Sequence, residues 1–167
     1  MPSADRLARN SRGTFQQEFY IRPTYSTLMC VDRAITETIS YGHDSVGSEF
    51  LFLGILPDTE VQSCLSQLGI RIERMHSAVE FMVGKGQESG SRADLELDKY
   101  AMQAIRLGVK EARRFNDEVL KPDHLLLGLT ACEGVAAGLI ASIGYDYSQV
   151  LKSVVHQRME RLKSLLQ

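Results

Sequence analysis

Two eight-residue stretches of this chain follow one plan. They are Gly47-Ser48-Glu49-Phe50-Leu51-Phe52-Leu53-Gly54 and Lys121-Pro122-Asp123-His124-Leu125-Leu126-Leu127-Gly128, each a polar turn, a carboxylate, a large apolar run and a closing glycine. Glu49 and Asp123 stand 74 residues apart (123 − 49), and at the same offset Thr27 falls on Ala101, Ala34 on Gly108, Glu37 on Glu111 and Tyr41 on Phe115. Leu68-Gly69 then answers Ile143-Gly144 after a slip of one residue. A self-match at fixed offset sets the architecture before any local reading, because the same supersecondary unit is used twice. The chain is a tandem repeat of one helical unit.

Within each unit the apolar spacing is helical. Leu28, Val31, Ile35 and Ile39 mark a helix over 24–41, closed by Gly42-His43-Asp44. Ser48 is the expected N-cap of a helix over 49–56 that is apolar on nearly all sides and therefore buried. Pro57-Asp58 breaks it, a short helix follows over 59–68, and Gly69 suits a left-handed helix end. A fourth helix carries Ile72, Met75, Val79 and Met82 on one face. The second unit predicts helices over 98–115, 122–130 and 134–142, then a last one opened by Asp146 and Gln149 as a capping box. No stretch reads as a strong strand. The expected fold is all-α, with eight helices in two pseudo-symmetric halves: a flexible leader 1–23, repeat 1 over 24–83, a small polar linker 84–97 and repeat 2 over 98–164. The leader's arginines and serines also fit an organelle transit peptide, although Asp5 and Glu18 run against that.

Composition removes several function classes. A net charge of −2 is poor for a nucleic-acid partner, which needs a basic face. No apolar run approaches the roughly 18–20 residues that span a bilayer. Cys30, Cys64 and Cys132 are far apart and in apolar settings, so they read as reduced core residues. The histidines His43, His76, His124 and His156 make no metal-site spacing, and no nucleophile elbow or phosphate loop appears. No metal, cofactor or catalytic residue is expected. His124, beside Asp123 at the start of an apolar helix, reads as a structural hydrogen-bonding residue.

What remains is binding. In each repeat the start of the long first helix and the start of the buried helix are expected to meet, Thr24 with Glu49 in one half and Asp98 with Asp123 in the other. Free helix-start amides take an anion, and a carboxylate takes a guanidinium with two parallel hydrogen bonds. The same carboxylates also suit plain helix capping, and the residues alone leave both readings open.

With these residues laid out, the chain resembles the Clp N-terminal domain, the double helical repeat at the front of ClpC- and ClpA-type ATPases. The resemblance rests in repeat 1 on Thr24, Glu37, Tyr41-Gly42-His43, Val46-Gly47-Ser48-Glu49-Phe50, Leu51-Phe52-Leu53-Gly54-Ile55 and Leu68-Gly69-Ile70. In repeat 2 it rests on Glu111-Ala112, Phe115-Asn116-Asp117, Asp123-His124, Leu125-Leu126-Leu127-Gly128-Leu129 and Ile143-Gly144-Tyr145. It spans about residues 24–164, and the order and duplication of the motifs make it specific.

The resemblance implies a non-catalytic role in protein quality control, receiving substrates or adaptor proteins for an ATP-driven unfoldase coupled to the Clp peptidase. It further implies pockets for phosphoarginine. The first would use Thr24 and Glu49, with Ser48 for the family's Thr; the second departs from the pattern, with Asp98, Pro122 and Asp123 in place of Thr, Thr and Glu. A negative charge at Asp98 would repel a phosphate, so the second pocket is expected to be degenerate. Pro23 also stands where the family has Phe. With no Walker A lysine in the chain, the expectation is a Clp N-domain without the AAA+ module, in the bacterial cytoplasm or alternatively the chloroplast stroma. The implied partners are a Clp ATPase, the Clp peptidase, and adaptor or substrate proteins, not nucleic acid or membrane. Two roles compete: capture of marked substrates through the pocket, or docking on the Clp protease as an accessory subunit without use of the pocket.

Overall fold

The computed structural model describes residues 21–87 and 95–167, which leaves the leader up to residue 20 and linker residues 88–94 outside the described residues. Eight helices form among the described residues: α1 (Tyr25–Ser40), α2 (Ser48–Ile55), α3 (Thr59–Gln67), α4 (Ile72–Val83), α5 (Lys99–Arg114), α6 (Pro122–Ala131), α7 (Val135–Ser142) and α8 (Tyr147–Leu165). Their ends follow the local chemistry. Thr24, Asp58, Asp98 and Asp146 each accept an amide of the first turn on a side-chain oxygen, and Asp146 and Gln149 form the reciprocal pair of a capping box. Gly42, Gly69 and Gly144 take positive φ where helices stop, and Asn116 does so at the position equivalent to Gly42.

The two halves do not stand side by side; they interlock. Among the described residues, four two-residue strands precede the long and the buried helices: β1 (Arg22–Pro23), β2 (Ser45–Val46), β3 (Glu96–Leu97) and β4 (Val119–Leu120). Strand β1 of the first repeat pairs in parallel with β4 of the second, and β2 pairs in parallel with β3. The equivalent bonds obey the repeat: the Thr24 amide donates to the Leu120 carbonyl at 2.9 Å, and the Asp98 amide to the Val46 carbonyl at 3.0 Å. Periodicity could not reveal these strands, since two residues hold a single turn of alternation. They also move two boundaries. Arg22 and Pro23, assigned to the leader, form β1 with Ile21 buried beside them, and Glu96 and Leu97, assigned to the linker, form β3.

The buried helices α2 and α6 are the centre of one shared core, with Phe50, Leu51, Phe52, Leu125, Leu126 and Leu127 almost fully enclosed. Each lies so close on its long helix that only glycine fits at the contact. A Cβ on Gly54 would stand 2.3 Å from the Cys30 carbonyl oxygen, and one on Gly128 2.1 Å from that of Ala104, the equivalent residue. The three cysteines are free and buried, and burial pushes the thiols of Cys30 and Cys64 up to about 12. Among the described residues no single helix is long and apolar enough to cross a membrane.

Candidate functional site

The crossed strands regroup the predicted site residues. Thr24 begins α1 beside β4, three residues before Asp123 and not beside Glu49; its neighbour Thr27 donates its hydroxyl to the same Leu120 carbonyl at 2.7 Å. Asp98 begins α5 beside β2, just before Glu49. The expected pairing within each repeat is therefore corrected to a pairing across repeats. The physical reason is the parallel strand pair, which fixes the start of each long helix against the loop that feeds the other repeat's buried helix.

At the Thr24 end, Thr24 and Thr27 share a hydroxyl contact of 2.9 Å and the Thr27 amide donates to Thr24 Oγ1 at 3.2 Å. The carboxylate here, Asp123, is buried and carries a partner that sequence reasoning missed. Arg158 of α8 donates from Nε to Asp123 Oδ2 at 2.7 Å and from Nη1 to Asp117 Oδ2 at 2.6 Å. Its guanidinium carbon lies 4.2 Å from the centre of the Phe115 ring, within cation–π range. Lys121 Nζ holds the other oxygen of Asp117 at 2.9 Å. Burial alone would raise Asp117, but hydrogen bonds and charge from Arg158 and Lys121 outweigh it and hold the carboxyl down to about 2.

His124 completes this cluster in the structural role its position suggested. It is fully buried, and Nδ1 accepts the Lys121 backbone amide at 2.9 Å. A ring nitrogen that accepts carries no proton, so the neutral ring's hydrogen sits on Nε2, 2.9 Å from Asp117 Oδ2. Burial depresses the His124 pKa against the opposing field of Asp123. Arg158 Nη2 stands 2.7 Å from the same Nε2, a crowded approach of two donors. Asp123 Oδ1 is left buried without a hydrogen-bond partner, 3.9 Å from that ring nitrogen.

At the other end, Glu49 sits in the first turn of α2, half-buried and folded back over Gly47, where a Cβ would stand 2.2 Å from its Oε1. Burial raises its pKa; its own amide lowers it, Asp98 raises it and His43 lowers it. The Asp98 charge at the start of α5 thus acts on Glu49. Asp98 itself caps α5 by accepting the Ala101 amide at 2.8 Å. Ser48 does not join this group: Gly47 is the N-cap of α2, and Ser48 is the buried first residue of the helix. Its Oγ lies 2.6 Å from where a Cβ on Gly134 would be, under the turn between α6 and α7.

At the 75-residue offset that follows the slip, Arg158 falls on Val83, so the repeat has no second arginine there to draw notice. The signals present in the sequence are Phe115 and Asp117, a ring and a charge that the fold brings to the guanidinium.

Comparison with known proteins agrees with this architecture. The family model of the Clp repeat (R) N-terminal domain matches residues 22–137 and again 96–166, as two overlapping copies. The chain is 30% identical over 122 residues to the negative regulator of genetic competence ClpC/MecB of Bacillus subtilis, covering 71% of this chain and 15% of that protein. It is 30% identical over 151 residues to the chloroplastic ClpA homolog of Brassica napus, covering 88% of this chain and 17% of that protein. The chain thus spans only about a sixth of the length of these relatives. Among solved structures, the N-terminal domain of ClpD from Arabidopsis thaliana superposes with a TM-score of 0.63 at 19% identity, covering 81% of this chain and 96% of that one. The Hsp104 N-terminal domain from Candida albicans gives 0.69 at 11% identity, covering 82% and 91%. A duplicated four-helix unit, interlocked by crossed strands and matched over both copies, places this chain in the Clp repeat N-terminal domain family.

Proposed function

We propose that this chain is a non-catalytic recognition module of the Clp chaperone–protease system, capturing substrate or adaptor proteins by their arginine side chains, free or phosphorylated. The observation that carries this reading is the carboxylate set beside a helix start, built twice and each time from both repeats. The two sites differ in charge. Glu49 and Asp98 together favour a cation, and a guanidinium matches a carboxylate with two parallel bonds. A phosphoryl group would meet the Asp98 charge there. It fits instead at the Thr24 end, where the Tyr25 and Ser26 amides open α1 toward an anion, the Thr27 amide and the two threonine hydroxyls being engaged with one another and with the Leu120 carbonyl. The residues expected to form one phosphoarginine pocket, Thr24 and Glu49, are thereby divided between two sites, with Asp98 and Asp123 as their partners.

The test is calorimetric titration of an arginine-containing peptide into the protein and into Glu49→Gln. Saturable binding to the wild type, weakened at least tenfold in the variant, is the expected result; equal binding to both proteins contradicts it. The variant also carries a stability signature. A carboxyl whose folded pKa is raised is held ionised at neutral pH at a cost, which is relieved as pH falls through the raised value. Glu49→Gln should therefore melt no lower than the wild type at pH 7 while binding less.

A second reading, docking on the Clp protease as an accessory subunit, draws on exposed apolar residues of α4 and α8. Phe81 and Met82 on α4 and Met159 and Leu162 on α8 are more than half exposed, apolar surface of the kind a protein partner covers. Co-purification with a Clp complex that survives Glu49→Gln would favour this reading over capture.

A further inference from the structure

Resting on the recognition function above, we propose that Arg158 is a built-in guanidinium ligand of the Thr24–Asp123 site, occupying the carboxylate that an incoming arginine or phosphoarginine would need. This site is closed in cis and opens when the end of α8 lets go.

Three observations carry the proposal. First, the surroundings of Arg158 are those of a bound arginine from another chain. Two carboxylates, Asp123 and Asp117, take Nε and Nη1, and Phe115 covers a face of the guanidinium. The other charged or titratable groups at the cluster are Lys121, which is bonded to Asp117, and the neutral ring of His124. Second, the fit is incomplete. Arg158 divides its donors between two carboxylates, so Asp123 receives one bond and its buried Oδ1 has none. A guanidinium aimed at Asp123 alone would satisfy both oxygens. The orphaned acceptor marks a site shaped for more donors than the resident arginine gives it.

Third, the segment that supplies Arg158 is held by polar contacts and not by the apolar core. The buried residues of α8 are Val150, Ser153 and Val154, and none lies beyond Val154. From there the helix is tied down by polar contacts: Gln67 to Gln157 at 2.9 Å, Arg158 to its two carboxylates, and Arg161 to Glu60. Residues 159–167 are exposed. Release of this end breaks ion pairs and leaves the core intact. A tethered ligand competes at an effective concentration in the millimolar range for a short tether, so a free ligand binds weakly until the tether is removed.

The experiment titrates phosphoarginine into the wild type, Arg158→Ala and Arg158→Lys, and measures melting with and without ethylguanidinium. The lysine variant keeps a cation at the cluster but cannot span both carboxylates, so it preserves the test if the alanine variant folds poorly. The expected result is a gain of at least tenfold in phosphoarginine affinity on loss of the guanidinium, abolished by adding Asp123→Asn. Ethylguanidinium should raise the melting temperature of Arg158→Ala more than ethylammonium does, and should leave the wild type unchanged. Equal affinity in the wild type and both variants, or rescue that persists with Asp123→Asn, overturns the proposal. The ethylguanidinium arm does not depend on Glu49. Loss of peptide binding at Glu49 would thus refute the recognition function while the rescue result still decides the role of Arg158.

Discussion

Gly128→Ala is expected to lower the stability of the folded chain by about 3 kcal/mol, the upper end of ordinary overpacking costs. The added Cβ would stand 2.1 Å from the Ala104 carbonyl oxygen and 2.7 Å from the Gly108 amide nitrogen. Both are backbone atoms inside α5, so no side chain can swing aside, and α5 and α6 have to separate. Gly54→Ala meets the equivalent contact at Cys30 and should behave alike. The control is Gly138→Ala in α7, where a Cβ meets nothing within 4 Å. There alanine's better helix propensity should add roughly 0.5–1 kcal/mol. Urea unfolding checks all three, and a Gly128→Ala midpoint equal to that of the wild type would contradict the packing account.

Arg158→Ala is expected to cost about 2–4 kcal/mol. Breaking a buried ion pair from one side typically costs about 3–5 kcal/mol, discounted here because the Arg158 side chain keeps 22% of its surface exposed. The loss should depend on pH in a defined direction. Asp117 is held at about 2 in the folded protein against an ordinary 3.8. A depressed carboxyl contributes stability that is present above its unfolded pKa and lost as pH falls through the folded one. Wild-type protein should therefore lose this contribution between about pH 4 and pH 2. His124 acts in the same sense from a higher pH: burial depresses its folded pKa, so stability falls as pH drops from the ordinary histidine value toward the depressed one. In Arg158→Ala the stability that Arg158 lends to ionised Asp117 is already absent at pH 7. The gap between variant and wild type should narrow as pH falls toward 2. A gap that stays constant from pH 7 to pH 2 would contradict the assignment of these partners.

Most of the helical frame was legible because it rests on strong local signals. Asp58, Asp98, Asp146, Gly69 and Gly144 mark ends by chemistry that acts within one turn, and the 74-residue offset fixes which helices are equivalent. The sites were legible as residues but not as groupings. Thr24, Glu49, Asp98 and Asp123 each stand at a helix start as expected, yet which of them meet is decided by strands of two residues, too short to leave a pattern. Ser48 misled for a related reason: a serine before an apolar helix reads as a cap, whereas Gly47 takes that place and the packed α6–α7 turn encloses the serine. Arg158 was invisible because one arginine among the several polar residues of α8 looks like a solvated face. Only the fold brings it to Asp117 and Asp123.

Heteronuclear NMR on labelled protein tests the cross-repeat assembly of the sites most directly. On titration with an arginine-containing peptide, the amides of Glu49 and Asp98 should shift together, with Thr24 and Asp123 unmoved. If Glu49 shifts together with Thr24 while Asp98 stays still, the sites are built within repeats, and the account of how this chain recognises its partners is wrong.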